Sequence, residues 1–364
     1  MRESAAERHD RLLSLVRERG TARVSDLAGQ LGVSHVTVRR DVEALAGRGL
    51  LDRVHGSVSW PERDGLPRQR QGGGEGLVLG LLAPSSTYYF AEVIRGAHEA
   101  AAHAGARLIL RISDYRPEED RARTEGLLAA GAEGLLVAPG WRGPDDPAEH
   151  GAWITELPVP AVLLERRPVP GSALDELDRV SSDHRHGVLL ALRHLVGLGH
   201  RTPLLVARAD SPTALEVRSG YGEALGALGL RAPGTVIDSV PAERDPAGFE
   251  AAAQALRSAV TSGEATAALV HNDVDAIQLV QRLAELGVRV PEDLALIAYD
   301  DEVAALADTP LTAVAPPKRH VGRHAAQLLV ERLTAGRDED EPGRHLTLLP
   351  RLNVRESCGA STRS

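Results

Sequence analysis

The chain has 364 residues, enough for two or three domains, and its 43% hydrophobic and 26% charged residues with few aromatics are typical of a soluble globular protein. Its net charge of −9 is unevenly spread, because residues 1–60 carry +2 and residues 76–364 carry −11. Contact with nucleic acid is therefore expected only in the N-terminal part. A single cysteine excludes an intrachain disulfide, and no apolar run approaches the roughly 18 residues of a membrane span, so we expect a cytoplasmic protein.

The first 60 residues predict three helices and a hairpin, the organisation of a winged helix-turn-helix domain. RHDRLLSLVRERG places Leu12, Leu15 and Val16 on one face of a helix, and VSDLAGQLG forms the second helix. The third, SHVTVRRDVEAL, begins at Ser34 after a turn of only two residues, a spacing typical of helix-turn-helix motifs. GLLDRVHGSVSW then alternates around a His-Gly turn, which predicts a two-stranded wing.

A helical wheel of the third helix separates a core face from a DNA-binding face. Val38, Val42 and Leu45 cluster on one side and are expected to be buried. Val36 and Arg40 point the opposite way, where they suit base edges in a major groove. Ser34, Thr37 and Arg39 flank this face or cap the helix, and we expect them to contact DNA phosphates. In the wing, we expect Arg53 and His55 to contact the adjacent DNA backbone or minor groove.

Residues 61–76, PERDGLPRQRQGGGEG, have no apolar periodicity and are predicted to be a flexible linker. Their glycines precede the next predicted strand, whereas a dinucleotide fingerprint needs glycines after a strand and before a helix. We therefore expect no nucleotide cofactor.

From Leu77 onward short apolar runs alternate with helical patterns, which predicts an α/β fold with parallel sheets. Nearly 290 residues is long for one such sheet, so two doubly wound lobes with a ligand between them are the economical interpretation. We predict the first lobe at 77–182 plus 315–340, the second at 183–314 plus 341–357, and a tail at 358–364.

Two resemblances cover different parts of the chain. Residues 8–60 resemble the DNA-binding head of the DeoR family, including its T-V-R-R-D-V core and R-V-H-G wing. Residues 77–357 resemble the effector-binding domain of LacI/GalR regulators, which has the periplasmic-binding-protein type I fold. The segments that carry this second resemblance include LGLLAPSSTYYFAEVIRGAHEAAAHAGARLILRISD, ALRHLVGLGHR, HNDVDAI and LGVRVPEDLALIAYDD.

The second resemblance implies a small-molecule site at the ends of strands. An aromatic pair would stack on a sugar or base ring, and polar residues would bond ligand hydroxyls. The residues implied are Tyr89, Phe90, Asp114, Asp183, Arg218, Asn272 and Asp300. The chain departs from the pattern at two positions, since Val217 stands where the family usually has arginine and Pro316 where it has glutamine. Two polar contacts expected for a hydroxyl-rich sugar are therefore missing.

Together these features predict a DNA-binding regulator, a repressor of carbohydrate uptake or catabolism genes that acts as a homodimer on double-stranded operator DNA. A purine- or nucleoside-responsive regulator of the same architecture is the first alternative. A sugar-processing enzyme with a vestigial head is the second, but Asp300 and Asp301 are adjacent and cannot flank one bond. His184 and His186 lack a third ligand nearby, so no metal site is expected.

Overall fold

A computed structural model of the chain shows two units, Met1–Gly73 and Gly74–Ser364, here called the head and the body. The structure describes residues 9, 11, 12, 15, 16, 21–31, 33, 37, 38, 41, 42, 45, 52–54, 57–59, 76–231, 233–335 and 341–360. The predicted linker lies outside the described residues except at Gly76.

Within its described residues the head contains strand β1 (Thr21–Arg23), helix α1 (Val24–Leu31), and strands β2 (Asp52–Val54) and β3 (Ser57–Ser59). Strand β3 pairs antiparallel with both other strands. The predicted wing hairpin, β2 with β3, is therefore confirmed. The sequence did not predict β1, because a strand of three residues is recognisable only through a partner that is distant along the chain.

The core of the head joins α1 to the helical residues described between 9 and 16 and between 37 and 45. Val38, Val42 and Leu45 are buried there, which confirms the predicted core face of the third helix. His9 Nε2 lies 3.1 Å from Oδ1 of the buried Asp41 and ties the first helical segment to the third. The remaining buried residues of this core are Leu12, Val16, Leu27, Ala28 and Leu31.

The body contains two six-stranded sheets. The first has the order β14-β8-β7-β6-β4-β5, and all its pairs are parallel. Its strands are β4 (Val78–Ala83), β5 (Arg107–Ile112), β6 (Gly134–Val137), β7 (Ala161–Leu164), β8 (Asp178–Ser182) and β14 (His345–Leu348). Strands β4 and β6 are almost entirely buried, as expected of parallel strands covered on both faces.

The second sheet has the order β10-β9-β11-β12-β13-β15. Its pairs are parallel except for β13 with β15. Its strands are β9 (Pro203–Ala207), β10 (Ile237–Asp238), β11 (Ala267–His271), β12 (Ala295–Tyr299), β13 (Thr312–Ala315) and β15 (Arg351–Asn353). Two parallel sheets, each wound with helices, confirm the predicted fold class.

Helices connect the strands on both faces of each sheet. They are α2 (Tyr89–His103), α3 (Pro117–Ala129), α4 (Asp146–His150), α5 (His184–Gly197), α6 (Pro212–Leu228), α7 (Pro246–Thr261), α8 (Asp273–Glu285) and α9 (Lys318–Thr334). Short 3-10 helices occupy Ala152–Ile154, Ala173–Glu176 and Ala304–Leu306. Side chains that accept a hydrogen bond from a backbone amide of the first turn fix where several of these helices begin.

Helices α2 and α9 pack closely, and two glycines allow it. A Cβ built on Gly96 would lie 1.9 Å from the carbonyl oxygen of Arg319, and one built on Gly322 would lie 1.9 Å from that of Val93. The backbones of the two helices therefore touch, which places α9 in the first lobe although it follows β13 of the second.

One predicted boundary is wrong. Residues 341–357 were assigned to the second lobe, but β14 pairs parallel with β8 of the first sheet, and only β15 joins the second. The amide of Arg179 donates to the carbonyl of Arg344, and that of Asp183 to the carbonyl of Leu348, which fixes β14 in place. Pro350, between the two strands, has no amide hydrogen and ends the first of them.

Candidate functional site

A cavity of about 400 Å³ lies between the two lobes of the body. It is lined by residues that follow strands of both sheets, at the edge where open parallel sheets bind ligands. The lining residues from the first lobe are Ser85, Thr87, Tyr88, Tyr89, Phe90, Tyr115, Arg142, Glu165 and Arg166. Those from the second lobe include Arg208, Asp210, Thr213, Arg244, His271, Asn272 and Asp300.

An aromatic pair at the start of α2 forms part of the first-lobe wall. Tyr89 and Phe90 are buried, and their ring centroids lie 5.6 Å apart at an interplanar angle of 59°. The Tyr89 hydroxyl donates to Oε1 of Glu165 at 2.8 Å. Burial and the neighbouring Glu165 carboxylate raise the pKa of Tyr89 well above its ordinary value, so the phenol stays neutral.

Glu165 organises the polar side of this wall. It follows β7 and accepts hydrogen bonds from the backbone amide of Ser182 at 2.9 Å and from the Ser182 hydroxyl at 2.8 Å. His184 Nε2 lies 3.7 Å from Oε2 of Glu165. Burial alone would raise the pKa of Glu165, but these hydrogen bonds and His184 outweigh it and hold the pKa below its ordinary value.

The second-lobe wall holds buried polar atoms with no partner. Asp300 follows β12, and its Oδ2 lies 4.0 Å from Nε2 of His271, which ends β11. Among the described residues, Oδ1 of Asp300 and Nδ1 of His271 have no hydrogen-bond partner. Burial lowers the pKa of His271, so its ring is held neutral. An unsatisfied buried polar group costs about 1–3 kcal/mol, so such groups at a cleft mark a position where a ligand or a water molecule binds favourably.

Tyr88 joins the two lobes across the cavity. Its hydroxyl donates to Oδ1 of Asp273 at 2.5 Å and lies 3.3 Å from Oδ2 of Asp300. Asp273 also accepts the backbone amides of Val303 at 2.6 Å and Ala304 at 3.0 Å through its other oxygen. Burial is the main cause that raises the pKa of Tyr88, and the two carboxylates add to it. The phenol therefore acts only as a donor here.

Several arginines surround the cavity in different states of pairing. Arg208 forms a bidentate ion pair with Asp275, at 2.8 and 2.6 Å, and this pair is part of the second lobe. Arg166 is buried and donates to the carbonyl oxygens of Pro139 and Glu165. Burial lowers the pKa of Arg166, although nearby phenol and carboxylate groups oppose the shift.

The predicted effector residues divide into two groups. Tyr89, Phe90, Asn272 and Asp300 all line the cavity, which brings residues from three separate segments together. The Asn272 side chain also accepts from the amide of Asp275 at 3.1 Å and so caps α8, the structural role weighed against ligand binding.

The other three predicted residues are not among those that line this cavity. The Asp114 side chain is 68% exposed and lies 3.6 Å from Arg116. Asp183 caps α5 by accepting the amide of His186 at 2.9 Å. Arg218 donates to the carbonyls of Arg208 and Ala207 at 2.8 and 2.6 Å, because the preceding Val217 occupies the buried face of α6.

Sequence reasoning missed Tyr88, Glu165, Arg166, Arg208 and His271. A signal was present for most of them, because each of the last four ends a strand that points at the cleft or follows one within two residues. Polar residues at the ends of apolar runs were considered only where the family resemblance pointed. Tyr88 had no such signal, since its importance lies in a contact with the other lobe.

In the head, Thr37 is helical and half-buried, and the backbone of Arg53 lies in β2. Ser34, Val36, Arg39, Arg40 and His55 lie outside the described residues. Their DNA contacts stay predictions. Among the residues that the structure describes, no helix is both long and apolar enough to cross a membrane.

A helix-turn-helix head and a two-lobed body with an interlobe cavity define this protein as a ligand-binding transcriptional regulator. The family model of the DeoR-like helix-turn-helix domain matches residues 8–64, and that of the periplasmic binding protein-like domain matches residues 192–358. Both matches agree with the resemblances found in the sequence.

Comparison with known proteins narrows the class to a family. The chain is 30% identical to the HTH-type transcriptional repressor PurR of Vibrio atlanticus (strain LGP32) over 77% of this chain and 80% of the relative. It is 26% identical to the arabinose metabolism transcriptional repressor of Geobacillus stearothermophilus over 91% and 89% of the two chains. Its fold is similar to that of a transcriptional regulator CelR-cellobiose complex, with a TM-score of 0.64, 25% identity and coverage of 89% and 91%. The chain belongs to the LacI family of transcriptional regulators.

Proposed function

We propose that this protein is a ligand-responsive transcriptional repressor. Its head would bind operator DNA, and a small molecule bound between the lobes of the body would change the affinity for that DNA. The observation that carries the proposal is the interlobe cavity with unsatisfied buried polar atoms on Asp300 and His271, both at carboxyl ends of strands. The repressors among the relatives support the same function.

For the head, we propose that Arg40 and Val36 contact base edges and that Ser34, Thr37 and Arg39 contact phosphates. Arg53 and His55 would extend the contact through the wing. A head with a net charge of +2 neutralises few phosphates, so one copy alone should bind weakly. Two heads of a homodimer on a two-fold operator would supply the remaining affinity.

For the body, we propose a carbohydrate effector. Asp300, Asn272 and His271 offer acceptors and a neutral imidazole at one end of the cavity, which suits ligand hydroxyls. The aromatic pair Tyr89–Phe90 would pack on the ring face, as aromatic side chains do with sugars and bases. Cellobiose in the complex named above supports a carbohydrate, and the relationship to a PurR repressor together with that aromatic pair favours a purine or nucleoside as the second candidate.

A regulator rather than an enzyme is also supported by the use of the paired carboxylates. Asp301 forms an ion pair with Arg355 at 2.7 Å and accepts a hydrogen bond from the Asn353 side chain, so it faces away from Asp300 and the cavity. The two groups therefore cannot act on one bond. A coupling of about 1–3 kcal/mol between effector and operator, about 5–150-fold in affinity, is enough for a switch.

The test begins with selection of genomic fragments that bind the full chain. Fluorescence anisotropy on the selected operator would then measure affinity with and without each member of a panel of sugars and nucleosides that stabilise the protein on heating. We expect at least one stabilising compound to change operator affinity by about fivefold or more. Stabilisation by a compound that leaves DNA affinity unchanged would refute the switch, and absence of a selected operator would refute the DNA-binding function.

A further inference from the structure

Three arginines on the first-lobe side of the cleft have no carboxylate partner among the described residues. They are Arg142, Arg166 and Arg167, here called the arginine arc. The other arginines that line the cleft are paired: Arg179 with Asp175, Arg185 with Glu216, Arg208 with Asp275, and Arg244 with Asp210. Among the described residues, the arc is therefore the part of the cleft where guanidinium groups form no direct ion pair.

Each member of the arc is held differently. Arg166 is 4% exposed and uses its donors on two backbone carbonyls, while its guanidinium lies 5.7 Å from the centroid of the Phe90 ring. Arg142 donates to the carbonyl of Tyr115 at 3.2 Å and stacks over the Tyr115 ring at 5.4 Å. Arg167 is half-buried and makes no hydrogen bond or ion pair with the described residues. Carbonyls and rings orient these cations without cancelling their charge.

The arc connects two cavities. A second cavity of about 470 Å³ lies beside the first, and the two share Glu165, Arg166, Pro212 and Thr213 in their walls. Arg142 lines the first cavity, Arg167 lines the second, and Arg166 lines both. A ligand that extends across this junction is therefore bordered by all three arginines.

The wall of the second cavity has further unmet hydrogen-bonding capacity. Trp141 and Ser181 line it and are each 2% exposed, and neither the Trp141 indole N–H nor the Ser181 hydroxyl has a partner among the described residues. The indole nitrogen can only donate. The junction and the second cavity thus offer donors and positive charge beside Glu165, whose carboxylate already accepts hydrogen bonds from Tyr89 and Ser182. Asp300 and Asn272 add acceptors in the first cavity.

We propose that the effector carries an anionic oxygen group, a phosphate or a carboxylate, bound by the arginine arc, and hydroxyl groups bound by Asp300 and Asn272. Planar guanidinium groups match the geometry of both anions through paired N–H···O bonds. This inference rests on the proposed function and narrows its ligand class to anionic hydroxylated molecules such as sugar phosphates, sugar acids or nucleotides.

The test compares matched neutral and anionic compounds on the full chain by thermal shift and calorimetry at constant ionic strength. The sets are ribose with ribose 5-phosphate and ribonate, glucose with glucose 6-phosphate and gluconate, and adenosine with adenosine monophosphate, with inorganic phosphate alone as a further probe. We expect an anionic member of one set to bind about tenfold or more tightly than its neutral counterpart. The phosphate and carboxylate members identify which anion the arc binds.

Arg167→Gln should remove about tenfold or more of that preference while the protein stays folded, because the Arg167 side chain forms no hydrogen bond or ion pair with the described residues. Arg166→Lys keeps the positive charge but removes the planar guanidinium group, so it should also weaken binding of the anionic ligand. Arg193→Gln, on the exposed surface of α5 and outside both cavities, is the matched control and should change nothing.

A neutral compound that binds as tightly as its anionic counterpart would overturn the inference and leave the proposed repressor intact. The same holds if the anionic preference survives Arg167→Gln and Arg166→Lys, or if no anionic compound and no phosphate binds. Loss of the proposed function itself is measured separately, by the absence of operator binding in the ligand-free protein.

Discussion

Replacing Tyr88 by phenylalanine tests whether the two lobes are held together by the hydrogen bond seen across the cavity. The change deletes one hydroxyl, which donates to Asp273 at 2.5 Å and lies 3.3 Å from Asp300. A hydrogen bond to a charged group contributes about 1.5–3 kcal/mol. Asp273 keeps the amides of Val303 and Ala304, and water in the cavity can replace the phenol, so we expect the lower end, about 1.5 kcal/mol.

Two measurements check this expectation. Urea unfolding of the full chain should show the loss of stability directly. Spin labels are placed at Ala122→Cys on α3 and Arg257→Cys on α7, which are both exposed and lie one in each lobe. The variant should shift the interlobe distances toward longer values, with a change of about tenfold in the ratio of the longer-distance to the shorter-distance population. The native Cys358 is 1% exposed and should not be labelled.

Tyr221→Phe is the matched control for this experiment. Tyr221 donates to the carbonyl of Pro203 at 2.7 Å within the second lobe, so its loss should cost about 0.5–1.5 kcal/mol without changing the interlobe distance. If Tyr88→Phe leaves both the stability and the distance distribution unchanged, the hydrogen bond does not hold the lobes together and the reasoning is refuted.

The effect of Tyr88→Phe should also depend on pH. Burial raises the pKa of Asp273 above its ordinary value of 3.8, and the Tyr88 hydrogen bond opposes that rise. Because the folded-state pKa is the higher one, the ionised carboxylate costs stability as pH rises through the interval above 3.8. The variant raises this pKa further, so its loss of stability should be larger at neutral pH than at acidic pH, where protonation of Asp273 removes the charge from the bond.

Three further predictions concern the DNA-binding helix, the effector site and the contact between α2 and α9. Arg40→Ala should relax sequence preference at one base pair by about 1–3 kcal/mol, whereas Arg39→Ala should weaken all sequences alike and reduce the salt dependence, as measured by anisotropy on matched and mismatched operators. Asp300→Asn should weaken effector binding by about tenfold or more in calorimetry with little change in unfolding. Within the described part of the chain Oδ1 of Asp300 has no hydrogen-bond partner, and asparagine tolerates its φ of 86°. Gly322→Ala should destabilise the body by about 1–3 kcal/mol or more in urea unfolding, because its Cβ would lie 1.9 Å from the Val93 carbonyl oxygen. Gly126→Ala is the control and should be neutral or stabilising, because the nearest neighbour of its Cβ is an Arg111 atom at 3.7 Å.

The sequence by itself determined the local elements of this protein. Apolar runs bounded by turns predicted the buried parallel strands, and the wheel of the third helix correctly assigned Val38, Val42 and Leu45 to the core of the head. These features follow from the chemistry of neighbouring residues, because the periodicity of a helix or a strand is set within a few positions along the chain.

Only the tertiary structure decided which sheet β14 joins, which side chains line the cleft, and how the lobes meet. Pro350 marks the end of a strand in the sequence, but the partner of that strand is β8, more than 160 residues away. Asp183 and Arg218 have the polar character that a ligand site needs, yet helix capping and backbone carbonyls occupy them. Tyr88 has the same side chain as the neighbouring Tyr89, but its hydroxyl donates to Asp273 of the other lobe. Contacts of this kind depend on packing between distant segments, which no local pattern specifies.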